Sequence, residues 1–135
     1  MTIAARGGAA LFCAGLADTE AEQAQGLMYR TDLQANEGLL FAPYPPGGEG
    51  PREASFWMKN TPTSLDIIFV RPDRTIALVA ENTAPFSEAP IASGEPVSAV
   101  LEIRGGRAAE LGIAEGDKVD WVQPDAAVEG GVEGG

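Results

Sequence analysis

Proline and glycine cut this chain into short pieces. Pro43 to Pro51 holds four prolines and three glycines in nine residues, and no regular element survives that density. Asn82 to Pro96 holds three more prolines and a glycine, so a second long loop is expected there. The apolar runs between these breaks are too short for long helices and suit strands. The class this implies is α+β: a mostly antiparallel or mixed β-sheet curling toward a small barrel, with two short helices. Residues 1–123 are expected to form a single globular β-rich domain, and the acidic, Gly-rich residues 124–135 a flexible tail.

Leu11 to Ala17 reads as a first strand with Leu11 and Cys13 toward the core. Thr19 followed three residues later by Glu22 is a capping box. A helix should run from Glu20 to Gln25 and end at Gly26 as a left-handed cap. Gly38–Phe41 and Ser55–Lys59 are strand candidates, and Asn60–Ser64 is an irregular link. Leu65–Val70 is the clearest strand. Arg71-Pro72-Asp73-Arg74 is a tight turn, with Thr75–Glu81 returning as the hairpin partner. Val97, Ala99, Leu101 and Ile103 alternate with Ser98, Val100, Glu102 and Arg104, the pattern of a half-buried strand. Arg107–Leu111 should form a second short helix closed by Gly112 and covered by Ile113. Lys118–Val122 is the last strand.

Charge and composition exclude several function classes. The chain carries 20 acids against 9 bases, a net charge of −11. Nucleic-acid phosphates and anionic lipid surfaces would be repelled. No apolar run approaches the ~20 residues of a membrane helix, so no membrane insertion is expected. No targeting segment is read in the chain. Cys13 is the only cysteine, which removes any internal disulfide; its apolar surroundings suggest a buried thiol. There is no histidine. Ser–His and Cys–His nucleophile pairs and histidine-bound metals are therefore impossible. Any reaction would have to run on carboxylates, lysine, tyrosine or an oxygen-bound metal. The acids lack ligand-like spacing and the glycines form no phosphate loop, so neither a metal nor a cofactor is expected.

Most candidate site residues lie in Phe56-Trp57-Met58-Lys59-Asn60-Thr61 and the strand after it. Trp57 offers a flat face for stacking, and Phe56 should point the opposite way. Lys59 can hold an anionic group, and Asn60 can shape a turn. Asp66 interrupts an apolar strand and shares a face with Ile68 and Val70. It therefore needs a partner, either backbone amides or Arg30. A regular hairpin would put Lys59 and Asp66 on opposite faces. Tyr29 and Arg30, just after the first helix, could reach the same cleft. Glu102 reads by default as a surface carboxylate that could pair with Asp66.

Several segments together resemble a known prokaryotic family, domain of unknown function 192. They are Gln25-Gly26-Leu27-Met28-Tyr29-Arg30, Gly38-Leu39-Leu40-Phe41, the Trp57-Met58-Lys59-Asn60-Thr61 block, Leu65-Asp66-Ile67-Ile68-Phe69, Val100-Leu101-Glu102, and Leu111-Gly112-Ile113 with Gly116-Asp117. The resemblance covers about Leu11 to Val122. The family usually has arginine where this chain has Gln25. It implies a fold and a set of favoured positions but no activity; its members often carry a secretion signal, which implies an extracytoplasmic, periplasmic site. Ala108 to Val119 is also similar to a segment of small barrels such as double-psi barrels. The function expected is a small soluble binding or accessory module. It would recognise a small polar ligand, glycan or peptide in a cleft near Trp57–Asp66. The alternatives are a carboxylate- or lysine-dependent hydrolase and a structural module for an unknown protein partner.

Overall fold

The computed structural model of the protein describes residues 1–5 and 8–122; the tail expected over 124–135 lies outside the described residues. In chain order the elements are β1 (Thr2–Ala5), β2 (Gly8–Leu11), β3 (Cys13–Ala17), α1 (Glu20–Gln25), β4 (Glu37–Phe41), β5 (Arg52–Phe56), β6 (Leu65–Val70), β7 (Ile76–Ala80), β8 (Ile91–Val97), β9 (Ala99–Arg104), α2 (Arg107–Leu111) and β10 (Lys118–Asp120). A five-stranded sheet in the order β3-β4-β9-β6-β7 forms the centre. β3 and β4 are parallel, and the other neighbours are antiparallel. A three-stranded sheet, β10-β1-β2, and a two-stranded ribbon, β5-β8, complete the fold. The fold is α+β, and none of these sheets closes into a barrel.

Two cores explain the central sheet. On one face Leu40, Ile68, Val70, Leu101 and Ile103 pack with Ile3 and Phe12 from the N-terminal strands and Ala108 and Ile113 around α2. On the other, Phe41, Ile67, Phe69 and Val100 pack with Ala54 and Val97 from the ribbon and Leu27 and Leu33 from the segment after α1. β6 and β9 lie between them, so every residue of β6 is buried, as is every residue of β9 except Arg104. A fully covered strand shows a continuous apolar run, which is what Leu65–Val70 shows around Asp66. Each large apolar side chain buried there stabilises the fold by roughly 1.5–3 kcal/mol.

Local signals set the helix ends. The Glu22 amide donates to Thr19 Oγ1 at 3.1 Å, and Glu22 Oε1 accepts from the Thr19 amide at 3.2 Å. Gly26 ends α1 at φ 52°, ψ −132°, outside the left-handed helical well expected for a cap. Gly112 is left-handed at φ 72°, and the Ile113 amide reaches back to the Ala108 carbonyl at 2.8 Å.

Three expectations change. Leu11–Ala17 is not one strand. The chain breaks at Phe12, which is buried, while Leu11 and Cys13 face outward. The larger Phe12 ring takes the core position and shifts the alternation by one residue. Asn82–Pro96 contains an edge strand, β8, that tolerates Pro96 because it has one partner, β5. The Trp57–Ser64 segment is not a hairpin loop. β5 pairs with β8, while β6 pairs with β7 and β9.

Candidate functional site

The Trp57–Ser64 link is clamped from both sides by backbone. The Met58 amide donates to the Ser87 carbonyl at 2.8 Å, and the Phe86 amide to the Thr61 carbonyl at 3.0 Å. The Tyr29 amide donates to the Asn60 carbonyl at 2.7 Å. Thr63 Oγ1 donates to the Arg30 carbonyl at 2.7 Å. Asn60 sits at φ 57°, a left-handed conformation that asparagine tolerates better than most residues. Met58 anchors the link: it is fully buried, and its Sδ accepts from Thr83 Oγ1 at 3.2 Å. The extended backbone sends Trp57 and Lys59 to the opposite side from Met58. Lys59 Nζ lies 5.1 Å from the centre of the Trp57 ring, a cation–π contact. Trp57 remains 46% exposed, so much of its surface is free.

Trp57 and Lys59 line a cleft of about 320 Å³. One wall comes from α1 and the turn after it, with Glu20, Gln23 and Gly26. Another comes from the proline-rich loop, with Tyr44, Pro45 and Pro46. Arg52 and Phe56 from β5, and Phe41 and Glu102 from the central sheet, complete the lining. Phe56 fixes the aromatic wall: its ring meets Phe41 edge-on at 5.1 Å and Tyr44 at 5.8 Å.

Glu102 is the unusual group. Only 4% of it is exposed. In the register Leu39–Glu102–Ile67 it lies on the sheet face covered by the ribbon. No side chain or amide among the described residues donates to its carboxyl. Burial alone pushes that carboxyl up from 4.5 to about 8, because the charged form is denied water. Its surface reading in the sequence is therefore corrected: the second face of β9 is covered by segments distant in the chain. Gln23 is also incompletely satisfied. Its Nε2 donates to the Ala17 carbonyl at 3.0 Å and the Pro43 carbonyl at 2.8 Å, and its buried Oε1 has no donor. Gly26 leaves the approach open: a Cβ there would stand 3.3 Å from Phe41 Cζ and 3.8 Å from Glu102 Oε1.

Asp66 is placed differently. It is fully buried on the opposite face of the sheet from Glu102, among Ile68, Leu101 and Ile103. Its oxygens accept from the amides of Asn82 at 2.8 Å, Gly106 at 3.1 and 3.2 Å, and Ala108 at 2.8 Å. It ties β6 to the loop after β7 and to the start of α2, outside the cleft. Asp66 and Glu102 are thus separated by the sheet and form no acid pair. Arg30 is bound to Asp32 at 2.8 Å and Glu37 at 3.4 Å. Tyr29 is 70% exposed and, like Arg30 and Asn60, does not line the cleft. Gln23, Tyr44 and Arg52 do line it; they come from three separate segments with no shared motif, so no local signal marks them together.

A small α+β protein with an aromatic-walled cleft over a buried, unpartnered acid is the class that fold and site define. The chain belongs to the DUF192 family, described as Uncharacterized ACR, whose model matches residues 1–121. It is similar to the crystal structure of a protein of unknown function from Novosphingobium aromaticivorans DSM 12444, with 48% identity and a TM-score of 0.83 over 89% of this chain and 82% of that one. It is also similar to a Sinorhizobium meliloti 1021 protein described as a candidate transcription regulator. That match has 38% identity and a TM-score of 0.81, over 88% of this chain and 89% of that one. No curated protein matches the chain. No described helix is long and apolar enough to cross a membrane.

Proposed function

We propose that the protein is a binding or accessory module whose ligand, a small polar molecule, enters the cleft between Trp57 and Glu102. Trp57 is the stacking platform, Lys59 the mobile polar arm beside it, and Glu102 the anchor at the floor. The observation that carries this reading is Glu102 itself. A buried carboxyl without a donor costs stability, and a ligand bringing a donor would remove that cost. Asn60, Arg30, Tyr29 and Asp66 hold the walls in place without touching the ligand. The regulatory role attributed to the Sinorhizobium meliloti protein finds no support in charge, since −11 repels nucleic-acid phosphates.

One observation favours a second reading, a carboxylate-dependent hydrolase. Glu102, proton-bearing at neutral pH, and Glu20, exposed on α1, line the same cleft. An acid that keeps its proton beside one that does not is what general acid–base chemistry requires.

Thermal-shift screening of a polar ligand library against the native chain, Trp57→Ala and Glu102→Gln tests the site. A ligand at a hundred times its Kd stabilises the native fold by about 2.7 kcal/mol. Both variants should lose most of that. A ligand that stabilises all three proteins equally refutes the cleft, and turnover of a hit by the native chain but not by Glu102→Gln supports the hydrolase.

A further inference from the structure

We infer that the group seated at the cleft floor is a primary alkylammonium, held by Glu102 and Gln23 Oε1 between aromatic walls. The inference rests on the cleft being a ligand site and adds the chemical class.

Four observations point to a cation. The floor offers acceptors and lacks donors. The Gln23 amide cannot be turned around to change this, because its NH2 group already serves two carbonyls, at 3.0 and 2.8 Å. Its Oε1 and the Glu102 carboxyl are therefore both left needing donors. A hydroxyl donates once, whereas an ammonium donates three times and can serve both. The walls are aromatic, and ring faces attract cations. Trp57 already shows this with the chain's own Lys59 ammonium at 5.1 Å. No basic side chain neutralises the floor: burial alone perturbs Glu102, and Arg52 leans toward Glu49 at 4.0 Å. Finally, a net charge of −11 draws cations toward the protein and turns anions away.

The empty cleft keeps Glu102 neutral. A cation at the floor ionises it, and the displaced proton passes to solvent. For an acid that titrates near 8, this lowers affinity at pH 7 by about tenfold relative to alkaline pH. The other titratable groups on the cleft are Glu20 on α1, Tyr44 in the proline-rich loop, Arg52 on β5 and Lys59 in the link. The two basic groups sit on the β5 side with Trp57. They favour a single ammonium head reaching Glu102 from the Gly26 side, where no side chain blocks it.

Pentylammonium and 1-pentanol, matched in length and shape, separate charge from apolar fit. Titration followed by amide and indole NMR shifts should show saturable binding of pentylammonium, with the alcohol at least about tenfold weaker. Glu102→Gln should weaken pentylammonium by about tenfold and alter the alcohol by less than about twofold. The native-protein comparison stands even if the variant folds poorly. Nα-acetyl-lysine N-methylamide distinguishes the source. Binding as tight as pentylammonium or tighter assigns a peptide-borne lysine, and weaker binding assigns a free amine; both keep the inference. Equal affinity for ammonium and alcohol, abolished by Trp57→Ala, overturns the ammonium assignment and leaves the cleft a ligand site. No saturable shift with either probe also overturns the assignment.

Discussion

Glu102 should make the protein less stable as pH rises, and removing its charge should cancel that loss. Its carboxyl titrates near 4.5 in an unfolded chain and at about 8 in the fold. Below the lower value both states carry the proton and the acid has no effect. Between the two, the folded state holds a proton that the unfolded state has released. Folding then takes up a proton, so stability falls by about 1.4 kcal/mol for each pH unit. Above about pH 8 the loss levels off. From about pH 5 to about pH 7.5 it amounts to about 3 kcal/mol, a large part of the 5–15 kcal/mol that holds a typical domain together. Glu102→Gln preserves shape and cannot titrate. Its amide also lacks partners, but that cost is the same at every pH. The assay is urea unfolding with linear extrapolation for both proteins at several pH values. The variant-minus-native difference isolates Glu102, because every other titrating group is common to both. That difference should grow by about 3 kcal/mol across the interval in favour of the variant. A difference that stays constant within about 0.5 kcal/mol would show that water or a protein group reaches the carboxyl, and would refute the reasoning.

Three further changes test the framework around the cleft. Asp66→Asn removes one of two oxygens that together accept amides from Asn82, Gly106 and Ala108. It sets an N–H donor against backbone donors, so denaturant unfolding should show a loss of about 2–4 kcal/mol. Once the variant is folded, cleft binding should be unaffected. Trp57→Ala removes a half-exposed ring and its contact with Lys59. It should cost only about 1 kcal/mol in stability while abolishing ligand-induced shifts in the cleft. Gly38→Ala would place a Cβ 2.9 Å from the Glu102 backbone oxygen and 3.1 Å from Ile103 Cγ2. Since backbone cannot swing aside, a loss of about 1–3 kcal/mol should appear in the same unfolding assay.

Much of the fold was legible because its signals are local. The Thr19–Glu22 box set the start of α1, Gly112 and Ile113 closed α2, and the run from Leu65 to Val70 defined β6. The Asp66 face was legible too, since alternation alone puts it with Ile68 and Val70. What escaped depends on distant partners. β8 contains Gly94 and Pro96 and is a strand because β5 lies beside it. β1 is held between β2 and the far C-terminal β10. Phe12 displaced Leu11 and Cys13 from the core because the N-terminal sheet offers one deep position there and the larger ring fills it.

The two acids of the central sheet show why the site itself was harder to read than the fold. Each sits in an apolar strand, and each looks in sequence like a polar residue that needs explaining. Asp66 pairs with Ile103 and Glu102 with Ile67. That one-residue offset sends their side chains to opposite faces. On one face, backbone amides from the loop after β7 and from α2 converge on Asp66 and satisfy it. On the other, the ribbon and α1 cover Glu102 with rings and leave its carboxyl without a donor. Sequence reveals that an acid is present; whether donors surround it depends on chain segments far away. A buried acid with its donors present is explained by the fold. One without them is explained only by something the fold has still to receive, and so Glu102, with Trp57 above it, is where a ligand belongs.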